Sequence, residues 1–110
     1  MGKTRIGALE ERVMLTLVRL GGESYAVPIA AELHSLTGRD VSPATVYMVL
    51  RRLESASYLT STVGTSLPER GGRPRRFFSV VPEKVLPLLA ASRRDMLALW
   101  SGIEPTLDQV

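Results

Sequence analysis

The chain contains no cysteine, which excludes disulfides, thiolate metal sites and a cysteine nucleophile. Its single histidine, His34, has no Cys or His neighbour to share a metal with. No Ser-His-Asp constellation, no phosphate-binding Gly loop ahead of a helix and no carboxylate pair in an apolar setting can be assembled. The sequence therefore predicts no enzyme, no metal and no cofactor, with His34 on the surface. Apolar runs are short: Val85-Leu86-Pro87-Leu88-Leu89-Ala90-Ala91 falls well below the ~20 residues needed to cross a bilayer. The N-terminus is charged but lacks the apolar stretch and small residues of a secretory signal. A cytoplasmic location with no membrane partner is expected.

What is present is compatible with one small domain. The chain has 110 residues, 45% of them hydrophobic and 23% charged, a globular composition. A chain this short buries only ~65% of its unfolded surface, so a partner subunit would help to stabilise it. Lysine is scarce: twelve of the fourteen basic residues are arginine. The segment Arg39–Arg76 holds seven arginines against Asp40, Glu54 and Glu69, a net +4, while the rest of the chain is net −1. Guanidinium groups suit bidentate recognition of phosphate. On charge alone a solvated surface is the plainer reading, and the order of elements has to decide.

That order is legible. Ile6, Leu9, Val13, Leu17 and Leu20 step by three and four, which predicts a helix from Gly7 to Leu20 ended by Gly21-Gly22. A second helix is expected from Ala26 to Thr37, with Ser24 as N-cap, Pro28 in the first turn, a stripe of Ile29, Leu33 and Leu36, and Gly38 at its end. The third has the clearest start: Ser42 caps and Pro43 occupies the first helical position. It continues to Glu54 with Val46, Val49, Leu50 and Leu53 on one apolar face. Two strands are expected at Tyr58–Val63 and Phe77–Val81, joined by the Gly- and Arg-rich loop 64–76. A last helix should run from Glu83 to about Ser101, ended by Gly102 and Pro105, with Pro87 tolerable only in its first turn. Val85, Leu89, Ser92, Met96, Leu99 and Ile103 form a coiled-coil-like seam along it.

Three helices followed by a basic hairpin predict a mainly α fold with a two-stranded β-hairpin: a winged helix-turn-helix over residues 1–82, followed by a C-terminal dimerisation helix and tail over 83–110. The third helix would enter the major groove of double-stranded DNA. Ser42, Ala44, Thr45, Tyr47, Met48, Arg51 and Arg52 are its candidate DNA-binding residues, and Arg70, Arg73, Arg75 and Arg76 are those of the wing. Packing the last seam against its own copy would give a two-fold homodimer. That sets the two recognition helices about one DNA turn (~34 Å) apart, on a palindromic operator.

Several motifs resemble the PadR family of transcriptional regulators. They are Gly7-Ala8-Leu9-Glu10, Val41-Ser42-Pro43-Ala44-Thr45-Val46-Tyr47, Leu50-Arg51-Arg52-Leu53-Glu54 and Gly71-Gly72-Arg73-Pro74-Arg75-Arg76-Phe77-Phe78. The resemblance spans about residues 6–81. It implies a winged-helix repressor that dimerises through a C-terminal helix, in the compact branch with one such helix. Many members sense phenolic or other aromatic molecules, which implies a small aromatic effector. The sequence departs from the family at Tyr25-Ala26-Val27, where Gly-Tyr is usual. It departs again at Ala56-Ser57-Tyr58-Leu59, where a Gly usually precedes the first strand. After the wing it reads Val80-Val81-Pro82-Glu83-Lys84 instead of Leu-Thr-Glu-x-Gly.

Some residues admit two readings. Tyr47 can reach phosphate through its hydroxyl or pack its ring against the second helix. Arg51 and Arg52 point about 100° apart, so one can face DNA while the other pairs with Glu54 or Glu32. Trp100 can flank a flat ligand between subunits or anchor the interface. Met96 and Met14 can line an effector pocket or fill the core. The alternative function is a winged-helix protein-interaction module with no specific operator.

Overall fold

A computed structural model describes residues 6–64 and 74–110. The elements follow as α1 (Ala8–Arg19), β1 (Glu23–Ser24), α2 (Ala26–Thr37), α3 (Pro43–Ser55), β2 (Leu59–Val63), β3 (Arg76–Val80), α4 (Pro82–Trp100) and α5 (Glu104–Leu107). This is a mainly helical winged helix-turn-helix with a small antiparallel sheet. The sheet has three strands, ordered β1-β3-β2.

The helix ends are set by local chemistry. Glu10 reaches back so that its carboxylate accepts the Gly7 N–H at 2.7 Å at the start of α1. At its far end Gly22 N–H bonds Leu17 C=O and Gly21 N–H bonds Val18 C=O, the paired closure that glycine favours. Gly38 ends α2 at φ +74°, a conformation costly for a residue with a Cβ. Ser42 Oγ accepts the Thr45 N–H at 3.1 Å and Pro43 opens α3.

One core unites the elements. Val13, Met14 and Leu17 of α1, Ile29 and Leu33 of α2, Val46, Val49, Leu50 and Leu53 of α3, Leu59 and Phe78 of the sheet, and Val85 and Leu89 of α4 are all buried together. Phe78, wholly buried, carries the sheet into this core. Each such side chain contributes about 1.5–3 kcal/mol relative to exposure.

Four local expectations are corrected. Ser24 does not cap α2. It is buried in β1, paired with Phe78 of β3, and Tyr25 is the N-cap, without a side-chain bond. A two-residue strand is too short to show alternation, which hides β1 in the sequence. Pro87 does not lie in the first turn of α4, because the helix begins at Pro82. Its missing N–H falls on the exposed side, between exposed Leu86 and half-buried Leu88, where water can satisfy the unpaired carbonyl one turn earlier. Pro105 does not end a helix but sits in the first turn of α5, after Gly102 at φ +89° has broken α4. The seam of α4 is not all free for a partner. Val85 and Leu89 belong to the protomer's own core, and Ser92 Oγ donates to the Glu11 carboxylate of α1 at 2.5 Å.

The turn after α3 carries an avoidable cost. Ser57 N–H bonds Glu54 C=O and Tyr58 N–H bonds Leu53 C=O, the same closure as after α1. Here Ser57 adopts φ +71°, where a Cβ is crowded. This is the segment in which the resemblance expects glycine. Ser57→Gly should therefore stabilise the fold by about 0.5–1 kcal/mol, a rise of several degrees in Tm. An unchanged or lower Tm would show that the left-handed turn carries no strain.

Candidate nucleic-acid interface

Burial of Val46, Val49, Leu50 and Leu53 fixes which side of α3 meets solvent. Ser42, Ala44, Thr45, Tyr47, Met48, Arg51 and Arg52 are all exposed, and Met48 stands 63% accessible. Ser42 Oγ, besides its cap bond, donates to Thr45 Oγ1 at 3.0 Å, so these hydroxyls form one cluster at the helix N-terminus. The turn before it is braced by the exposed His34 Nδ1, 2.9 Å from an Asp40 carboxylate oxygen. A lone exposed imidazole beside a carboxylate agrees with the surface placement expected of His34.

Tyr47 packs its ring, though not on the partner expected, and turns its hydroxyl to Arg51. Its ring meets the edge of Phe78 at 5.8 Å between centroids and 76° between planes, so it packs on β3 and not on α2. Its hydroxyl accepts from Arg51 Nη1 at 3.1 Å, and the guanidinium carbon sits 5.9 Å from the ring centroid. The hydrogen bond from Arg51 draws the Tyr47 phenol below the ordinary tyrosine range and raises Arg51 further above its own.

The two adjacent arginines are separated in use. Arg51 Nε lies 3.3 Å from Glu54 Oε1. Arg52 Nη1 lies 3.6 Å from Glu10 Oε2, on α1. Glu32 is taken by Arg19 at 3.3 Å. Glu10 was not among the partners expected for Arg52, because its approach depends on how α1 crosses α3.

The base of the wing is built from β2 and β3, paired from Leu59↔Val80 to Val63↔Arg76. Gly64 N–H continues the ladder to Arg75 C=O. A Cβ on Gly64 would come within 2.8 Å of the Phe77 ring, so only glycine fits without displacing the aromatic. Arg75 lies over the Tyr25 ring at 4.8 Å, and Tyr25 meets Phe77 edge-on at 5.2 Å. Arg76 Nη1 donates to Ser61 Oγ at 2.9 Å, and Ser61 Oγ donates to Glu54 Oε2 at 2.6 Å. Arg70 and Arg73, with Gly71-Gly72, lie outside the described residues. The sequence reading missed Tyr25 and Ser61. Their only signals were an aromatic before the second helix and a place in the alternation of β2.

Between α1 and α4 lies an open groove of ≈ 570 Å³, lined by Leu15, Val18, Leu86, Leu89, Met96, Leu97 and Trp100, together with the polar Glu11, Ser92 and Arg93. Met96 and Trp100, two of the residues named above as possible effector contacts, line this groove. Met14 does not: it is wholly buried, in the same core cluster as Val13 and Leu17. Leu99 is 70% and Ile103 45% exposed, and neither lines the groove.

The Tyr47–Arg51 pair is testable without any ligand. Because folding lowers the phenol's pKa, the folded chain releases that proton before an unfolded one does. The resulting stabilisation is absent at neutral pH and grows through the alkaline range up to the unfolded value. In an alkaline absorbance titration Tyr47→Phe should remove an early-ionising tyrosine, and Arg51→Ala should move it to higher pH. An unaltered curve in Arg51→Ala would disprove the pairing.

Comparison with known proteins agrees with this geometry. The model of the transcriptional regulator PadR-like family matches residues 14–83. No curated protein matches. Among solved structures, a PadR family transcriptional regulator from Eggerthella lenta DSM 2243 is 27% identical, with a TM-score of 0.67 over 93% of this chain and 89% of that one. A PadR-like transcription factor from Bacteroides fragilis is 26% identical, with a TM-score of 0.65 over 96% of this chain and 91% of that one. A winged-helix DNA-binding protein from STIV, 14% identical, shares the fold with a TM-score of 0.66 over 92% of this chain and 98% of that one. The family is one of regulators and not of enzymes. Among the described residues no group of three or more His, Cys, Asp or Glu could hold a metal ion, and no helix is long and apolar enough to cross a membrane. With more than half its length matched, the chain belongs to the PadR-like family of transcriptional regulators.

Proposed function

We propose that the protein is a homodimeric DNA-binding repressor that places α3 in the major groove of a palindromic operator and is released by a small aromatic effector. The observation that carries the DNA reading is the outward face of α3. It presents hydroxyls at the helix N-terminus, where the helix dipole favours phosphate. Beyond them come Tyr47, Met48 and Arg51, with no carboxylate until Glu54. The Tyr47 oxygen accepts from Arg51, which leaves its own O–H free to donate to a phosphate. The remaining Arg51 N–H groups can do the same. Ala44, Thr45 and Met48 suit base edges and thymine methyls, and Arg52, held toward α1, suits the flanking backbone. Arg75 and Arg76 supply the wing base, with Arg70 and Arg73 assigned to its tip on sequence alone.

Dimerisation is supported by the surface that one protomer leaves bare. Met96, Leu97, Leu99, Trp100, Ile103 and Leu107 are exposed along α4 and α5, and so many large apolar side chains left bare on one segment suit an interaction site. Within the seam, Met96, Leu99 and Ile103 remain available to a second copy, while Val85, Leu89 and Ser92 serve the protomer itself. An effector site is supported by the α1–α4 groove. Its volume lies in the ~300–1,000 Å³ range of small-molecule pockets, and Trp100 and Met96 offer an aromatic face and a polarisable sulfur. The division into a body over 1–82 and a dimerisation segment over 83–110 fits this use, although α4 is anchored on the body through its first turns.

The reading is tested by binding to DNA from upstream of the protein's own gene. At ~150 mM salt the chain should prefer that duplex to a random one, with a salt slope of about −5 to −7 for two subunits. Arg75→Ala combined with Arg73→Ala should weaken binding to all sequences and reduce the slope by about one for each phosphate left without its arginine. No preference for the upstream duplex, with partner proteins bound equally well by the double variant, would favour a protein-interaction module. Leu99→Asp should convert a micromolar dimer to monomer in sedimentation. A dimer that persists would place the interface elsewhere.

A further inference from the structure

A winged helix-turn-helix grips its target with two separate elements, and the spacing between them must be held by something. Here α3 and the wing are joined at one end by the turn 56–58, but their cationic side chains lie away from it. Among the described residues the carboxylate of Glu54 bridges them. Glu54 Oε1 lies 3.3 Å from Arg51 Nε on the outward face of α3. Glu54 Oε2 accepts Ser61 O–H from β2 at 2.6 Å. Ser61 Oγ in turn accepts from Arg76 Nη1 of β3 at 2.9 Å. The Glu54 side chain is only 29% exposed, and Ser61 and Arg76 are half-buried. The chain Tyr47–Arg51–Glu54–Ser61–Arg76 is thus continuous from the middle of α3 to the wing.

On charge alone this carboxylate is misplaced, since an anion beside a polyanion-binding face repels phosphate. The other acidic groups near α3 do not share the arrangement. Glu10 reaches Arg52 at 3.6 Å from α1, and Asp40 pairs with His34 at 2.9 Å. Among the described residues neither has a hydrogen bond or ion pair to the sheet. Arginine loses much rotamer freedom when fixed, and a side chain already held in its bound geometry spares that loss on association. We propose that Glu54 is a positioning residue for DNA binding, holding Arg51 of the recognition helix and, through Ser61, Arg76 of the wing at a fixed separation before the duplex arrives. This rests on the DNA-binding reading above.

The sign of the effect makes the test decisive. Binding is read by fluorescence anisotropy on a labelled duplex of the upstream DNA, with far-UV circular dichroism to show that each variant is folded. Glu54→Ala should lower affinity by about tenfold despite removing a negative charge, and reduce the salt slope by about one. Ser61→Ala breaks the bridge without changing net charge or deleting a large side chain, so it remains informative if Glu54→Ala does not fold. It should also weaken binding, and the double variant should bind no worse than Glu54→Ala alone. Glu54→Gln keeps an acceptor for Ser61 and should recover part of the loss. Tighter or unchanged binding in Glu54→Ala, unchanged binding in Ser61→Ala, or fully additive losses would overturn the proposal while leaving DNA binding intact. A wild-type chain that ignores the duplex at all salt concentrations would overturn both.

Discussion

The structure depends on the burial of one face of α3. Val46, Val49, Leu50 and Leu53 are at most 3% exposed, and at about 1.5–3 kcal/mol each they outweigh any single surface interaction on the helix. Their spacing of three and four fixes the rotation of α3 about its axis. A turn of one residue position would swing Tyr47 or Arg51 inward, and burying an unpaired guanidinium is far costlier than any gain. The outward presentation of the hydroxyls, Tyr47, Met48 and Arg51 follows from this constraint and requires no other.

Phe78 extends the same constraint to the sheet. It is wholly buried among the helices, yet it also meets the edge of the Tyr47 ring. Seating β3 in the core thereby places the wing base beside α3. Around this contact the arginines are disposed by their neighbours. Arg51 is held by Tyr47 and Glu54, Arg76 by Ser61, Arg75 by the Tyr25 ring, and Arg52 by Glu10. Exposed ion pairs of this kind add little to stability. Their consequence is geometric: each of these cations has a defined neighbour.

Much of this was legible in the sequence because helices announce themselves locally. Ser42-Pro43 marks a helix start, Gly38 a helix end, and the apolar steps of α3 a buried face. The pairing of Phe77–Val80 with Leu59–Val63 followed from β-branched and aromatic runs. What the sequence hid depended on contacts between distant segments. β1 has only two residues and exists because β3 offers it an edge, which moved Ser24 from a cap into a strand. The division of the α4 seam depended on where α1 lies, since Val85 and Leu89 look no different in sequence from Met96 and Leu99. Met14 was offered to a pocket because its neighbours in three dimensions are invisible to periodicity. The role of Ser61 has no sequence signal of its own, since a serine in a strand is ordinary until a carboxylate and a guanidinium converge on it.

The central claim is that the outward face of α3 reads a major groove. Dimethyl sulfate methylates guanine N7 in that groove, so a protection map of the bound upstream duplex tests it most directly. The account predicts two patches of protected guanines, centred about one helical turn (~34 Å) apart on one side of the duplex. They should be lost when Tyr47 and Arg51 are replaced by alanine. Protection confined to minor-groove adenines, or none in a complex that demonstrably forms, would contradict it.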